Sequence, residues 1–129
     1  MRAIRQQVER IRAARAAADG VGVRFFINAR TDVFLETAAA HHSRALVDVA
    51  LGRGMAYAEA GADGLFVPGL NDPELVGELC ERSGLPVNVM LRDPAAELGQ
   101  WSSAGVARVS YGPALYLHAM RAVAGQVRS

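Results

Sequence analysis

Four short apolar runs punctuate the sequence, in VRFFINARTD, GLFVPGLND, LPVNVMLRD and VARVSYGP, and each ends in polar or turn residues ahead of a helical pattern. Runs this short and continuous predict strands at about residues 23–28, 64–67, 86–90 and 106–110, the first of them buried on both faces. Helices are predicted around and between them. Ile4, Val8, Ile11, Ala14 and Ala18 recur at a helical period over residues 1–18, with Asp19-Gly20 as the stop. A second helix spans about residues 44–60 and ends in Gly61. Asp72-Pro73-Glu74 starts a third, because Asp caps free amides, Pro at the first position forfeits no hydrogen bond, and Glu suits the positive end of the dipole. It stops at Ser83-Gly84, a fourth follows over about residues 94–103, and a fifth runs from Gly112-Pro113 to about residue 124. Such alternation means parallel strands joined by right-handed crossovers. The fold class is α/β, with four parallel strands and about five helices in a single partial-barrel domain over residues 1–129.

Length sharpens that picture. The chain has 129 residues, about half of the roughly 250 that a closed (β/α)₈ barrel takes. Apolar residues make up 51% and charged ones 21%, the balance of an ordinary globular chain rather than a disordered one. A formal net charge of +1 argues against a nucleic-acid surface. All 14 basic residues are arginine, and the six at Arg2, Arg5, Arg10, Arg12, Arg15 and Arg24 are interrupted by Glu9 and Asp19; they read as a solvated helix face. Cys80 has no second cysteine to pair with, which fits a reducing cytoplasm. No stretch approaches the length of an apolar membrane span, and the basic N-terminus is not followed by the apolar core of a signal peptide. A cytoplasmic protein without membrane or nucleic-acid partners is expected.

Polar residues collect at the strand ends, where α/β proteins hold their ligands. In NARTD, Asn28, Arg30 and Asp32 share one side if the chain stays extended. Arg30 there suits a carboxylate or phosphoryl group, whose two oxygens match its planar donor fork; an ion pair with Asp32 explains it equally well. Asn88, between Val87 and Val89, needs a hydrogen-bond partner to be buried, either a polar ligand or neighbouring backbone. Ser110 ends the fourth strand and Gly112 lies in the YGP turn before the last helix, whose N-terminal amides could hold an anion, or the Gly-Pro could be just a turn. His41-His42 and His118 read as solvated or structural histidines, without carboxylate or thiol neighbours at ligand spacing.

The strings FFINARTDVFL, AYAEAGADGLFVPGLNDPE, PVNVM and GVARVSYGPALYLHAM closely resemble the C-terminal half of the isocitrate lyase / phosphoenolpyruvate mutase superfamily, particularly its phosphonomutase-like bacterial members. The resemblance implies the C-terminal half of a (β/α)₈ TIM-type barrel, from the family's fourth helix through its eighth. It also implies Mg²⁺-dependent lyase or mutase chemistry on 2-oxo or enol carboxylates or phosphonates, with C–C or P–C bonds made or broken through an enolate-like species. Arg30 would be the catalytic, substrate-binding arginine, and Asn88, Ser110 and Gly112 would contact substrate. The family's metal-holding carboxylates lie in the first four strands, so no Mg²⁺ is expected to bind this chain alone, and the chain alone is expected to be inactive. A homo-oligomer or a complementing N-terminal half is the expected partner. The alternative is a non-catalytic half-barrel module or a subunit of a split enzyme. Gly52, Gly54 and the loop LRDPAA depart from the family's usual helix formers and glycine-rich turn.

Overall fold

Strands and helices alternate along the chain in the computed structural model, which describes residues 3–93 and 95–127. In order they are α1 (Ile4–Val21), β1 (Asn28–Arg30), a 3-10 turn (Ala39–His41), α2 (Arg44–Glu59), β2 (Gly64–Phe66), α3 (Pro73–Arg82), β3 (Val87–Met90), α4 (Gly99–Ser103), β4 (Arg108–Ser110) and α5 (Ala114–Val127). The four strands form one sheet in the order β1-β2-β3-β4, parallel throughout. This is the predicted α/β arrangement of four strands and five helices. Among the described residues no helix is long and apolar enough to cross a membrane.

The two faces of the sheet differ because successive side chains alternate in direction. Ala29, Leu65, Val67, Val87 and Val89 are buried and pack with Val47, Tyr57, Val76, Leu79 and Trp101 from the helices. Arg30, Phe66, Met90 and Arg108 occupy the opposite face, where each stays at least partly exposed. One covered and one open face is the geometry of a barrel wall seen without its other half.

Local chemistry sets the element ends. Asp72 Oδ1 accepts from the Glu74 and Leu75 amides at 2.9 and 3.3 Å, the cap predicted from sequence. The first helix runs past Asp19-Gly20 to Gly22, which closes it in the left-handed region at φ 73°. Arg15 then ties α1 to the loop before β2: its Nε donates to the Gly61 carbonyl at 3.0 Å, and its guanidinium pairs with Asp63. Asp63 Oδ2 in turn accepts from the Ile27 amide at 2.8 Å. Three pieces of chain are thereby fixed around one arginine.

Two expectations need correction. The first strand starts at Asn28 rather than residue 23, and Val23, Phe25 and Phe26 are exposed, Phe26 by 62%. β1 has a strand on one side only, so the residues leading into it lack the neighbour that would pair and bury them. The fourth helix is limited to Gly99–Ser103: Asp93 caps the Ala95 amide at 2.9 Å, closing a turn instead of starting a helix. Pro94 lies outside the described residues.

A Cβ added at Gly52, on α2, would meet no heavy atom within 4 Å, whereas one at Gly54 would lie 3.0 Å from Leu65 Cδ2. Gly52→Ala should therefore raise stability by about 1 kcal/mol through helix propensity alone, read as a higher thermal midpoint. Gly54→Ala should forfeit most of that gain, because Leu65 would have to move within the core.

Candidate active site

Parallel pairing places chemistry-bearing residues in rows across the open face. Arg30 pairs with Phe66, Phe66 with Asn88, and Asn88 with Arg108, so these four side chains point the same way. One row further, Met90 pairs with Ser110. Arg30 closes β1, and Ser110 closes β4. The C-terminal ends of the strands thus carry the arginine and the hydroxyl expected there from the sequence.

Arg30 is held from two sides. Its Nε donates to Asp32 Oδ1 at 2.5 Å, and its guanidinium carbon lies 6.0 Å from the centre of the Phe66 ring. The carboxylate occupies Nε, while the terminal nitrogens have no protein partner among the described residues. The ion pair orients the fork and leaves its outer edge facing open space, with the side chain 51% exposed. A planar cation fixed by an aromatic ring and a carboxylate is preorganised to grip an oxyanion.

Asn88 is the second residue of β3 rather than its last. It is 4% exposed, and its Oδ1 is buried without a hydrogen-bond partner among the described residues. Ser110 already spends its hydroxyl on the Val89 carbonyl at 3.3 Å. Gly112 has φ 49°, in the left-handed region that favours glycine, and a Cβ there would fall 2.5 Å from Met90 Sδ and displace that side chain. Of the residues expected at the site, Arg30 and Asn88 share one row, Ser110 stands one row on, and Gly112 lies beyond the strands. A cavity of about 580 Å³ separates that end of the sheet from α5 and is bordered by Met90, Arg92, Tyr111, His118 and Arg121.

The remaining candidates take structural roles. His42 Nε2 lies 3.0 Å from the Phe34 carbonyl and 3.1 Å from that of Thr37, with its ring edge-on to Phe34 at 5.2 Å. It braces the loop after β1 rather than standing free in solvent. Burial pushes the Cys80 thiol up, so it remains protonated at neutral pH and is a poor nucleophile. For the Mg²⁺ implied by resemblance, a hard cation needs several oxygen ligands. Among the described residues no three His, Cys, Asp or Glu side chains gather, and Asp32 is committed to Arg30. These residues do not fit that ion. Sequence reasoning passed over Arg108, an exposed charge on β4 in register with Asn88. The signal was present in VARVS, a charge inside an apolar strand.

Comparison with known proteins agrees with the α/β fold. Residues 1–129 match the phosphoenolpyruvate phosphomutase family. A phosphonomutase-type protein of Burkholderia cenocepacia J2315 is similar in structure, with a TM-score of 0.94 and 50% identity over 99% of this chain and 51% of its own. A lyase/mutase-type protein of the same organism shares 34% identity at a TM-score of 0.81, covering 95% of this chain and 43% of its own. An uncharacterized protein of Mycobacterium tuberculosis is 36% identical over 104 residues, which are 81% of this chain and 38% of that relative. The chain thus spans about half the length, or less, of the proteins it matches.

Proposed function

Because the chain belongs to the phosphoenolpyruvate phosphomutase family, within the phosphoenolpyruvate mutase / isocitrate lyase superfamily, we propose that it supplies the arginine-bearing wall of an active site for lyase or mutase chemistry on small 2-oxo or enol carboxylates or phosphonates. The observation that carries this reading is Arg30, oriented by Asp32 and Phe66 at the open C-terminal end of β1. When a C–C or P–C bond next to a carbonyl breaks, its electron pair moves onto the carbonyl oxygen as an enolate. The terminal N–H groups of Arg30 would stabilise that developing charge, an interaction stronger in the transition state than in the ground state. The cavity bordered by Met90 and Tyr111 would lie at the same end of the sheet, three strands across from Arg30. Ligands for a divalent cation would come from the complementary half of the barrel, since those present here do not form a set.

The test is to co-express this chain with the part of the Burkholderia cenocepacia phosphonomutase-type protein that it does not cover. The pair is then screened on phosphoenolpyruvate and a panel of 2-oxo and hydroxy carboxylates. Release of a 2-oxo acid, or a phosphorus resonance moving from ester to phosphonate, is the expected result, with neither part active alone. A well-formed complex inert on the whole panel would remove the catalytic reading.

A further inference from the structure

Resting on the reading of this chain as one wall of a barrel, we infer that the floor of its inner face is a docking surface for a complementary βα half that brings a carboxylate to Arg108. Arg108 shares a register row with Arg30 but stands three strands away, and it opens β4 two residues before Ser110, roughly 7 Å below the C-terminal end of its own strand. It borders a separate cavity of about 490 Å³ with Phe26, Asn28, Pro86 and Asn88. Phe26 and Pro86 precede their strands, so this cavity opens toward the N-terminal ends of the strands and shares Asn88 with the candidate active site.

The wall of this cavity is mostly apolar, as a barrel floor should be, but it carries three polar side chains, Asn28, Asn88 and Arg108. Arg108 has no ion-pair or hydrogen-bond partner among the described residues, and Asn88, its partner in register, holds a buried oxygen without a donor. In the open half-barrel, water can solvate the guanidinium. Closing the barrel removes that water, because the interior of a (β/α)₈ barrel is packed with side chains. A guanidinium buried without a counter-charge would oppose closure strongly. Whatever closes the barrel must therefore present a carboxylate at this level, and a hydrogen-bond donor for Asn88.

A second copy of this chain does not meet that requirement. On the inner face Asp32 is already paired with Arg30, so each copy brings one unneutralised arginine, and a two-fold pairing would set Arg108 of both copies in the same lumen. Charge selects a different half. The lengths agree, since the chain covers 51% of a solved relative that superposes on it at a TM-score of 0.94. β1 and β4 are both edge strands, with backbone groups free to pair with that half.

The experiment is affinity capture of the uncovered part of the Burkholderia cenocepacia protein by the tagged full chain after co-expression. Wild type is compared with Arg108→Lys, Arg108→Ala and Arg108→Glu, and circular dichroism checks each fold. Arg108 is exposed, so these variants should fold alone. Wild type should capture its partner, Arg108→Lys should retain part of the binding, Arg108→Ala should lose at least tenfold, and Arg108→Glu should show none. Capture by the alanine and glutamate variants equal to wild type would overturn the Arg108 contact while leaving the proposed function intact. Absence of capture by folded wild type would overturn the docking surface and the barrel reading together. Wild type that forms stable dimers and ignores the added half would overturn the choice of partner.

Discussion

Arg30→Lys should lower turnover of the completed barrel by about 100- to 1000-fold, the range seen when one preorganised donor is removed from a developing oxyanion. Lysine keeps the positive charge, so a loss of this size would come from geometry. An ammonium is a point donor on a flexible stem and cannot keep one nitrogen on Asp32 while presenting two others to substrate. Stacking over Phe66 is lost as well. The loss should fall mainly on kcat, with KM changed little, because the contact strengthens as the enolate forms. Steady-state kinetics on the active pair checks this, and turnover within about threefold of wild type would take Arg30 out of the site. Asp32→Asn should have a milder effect in the same direction, since the fork would remain but lose its strongest tether.

Gly69→Ala should destabilise the chain by about 2–3 kcal/mol, the largest effect expected of any single methyl group here. Gly69 follows β2 at φ 96°, and a Cβ there would stand 3.0 Å from the Leu35 amide nitrogen and from the Phe34 carbonyl carbon and oxygen. Those atoms are backbone and cannot rotate away. Phe34 is 2% exposed and packs in the core, so the loop after β1 would have to lift a buried ring to make room. Left-handed backbone adds its own cost for any residue with a side chain. Urea unfolding with a midpoint lowered in proportion is the expected readout. A change below about 0.5 kcal/mol would show that the two loops are not pressed together.

Much of this architecture was legible in the residues, and its failures share a cause. α3 and β2 lie nearly where periodicity and the Asp72-Pro73-Glu74 start put them, because their neighbours on both sides are within the chain. The VRFF segment has the composition of a buried strand and yet is exposed, since burial depends on a partner that composition does not report. The fourth helix fell short because the Asp93 carboxylate accepts from the Ala95 amide and closes a turn, and the helix starts only at Gly99. At the site, Arg30 and Asp32 were recognisable from their alternation, and the structure shows that their pairing uses Nε and leaves the terminal nitrogens of Arg30 unengaged among the described residues. Arg108 was missed for the opposite reason. Its importance lies in its register beside Asn88 across two strands about twenty residues apart in sequence, and one strand read alone does not reveal a row.

The central claim, that this chain is one wall of a barrel made whole by a complementary half, is tested most directly by sedimentation velocity. The purified chain is run at micromolar concentration alone and after co-purification with the uncovered part of the Burkholderia cenocepacia protein. The account predicts a one-to-one complex of the two parts, formed in preference to pairs of this chain. A sharp monomer boundary that persists unchanged beside the folded second part, with cooperative unfolding of the chain by itself, would contradict it.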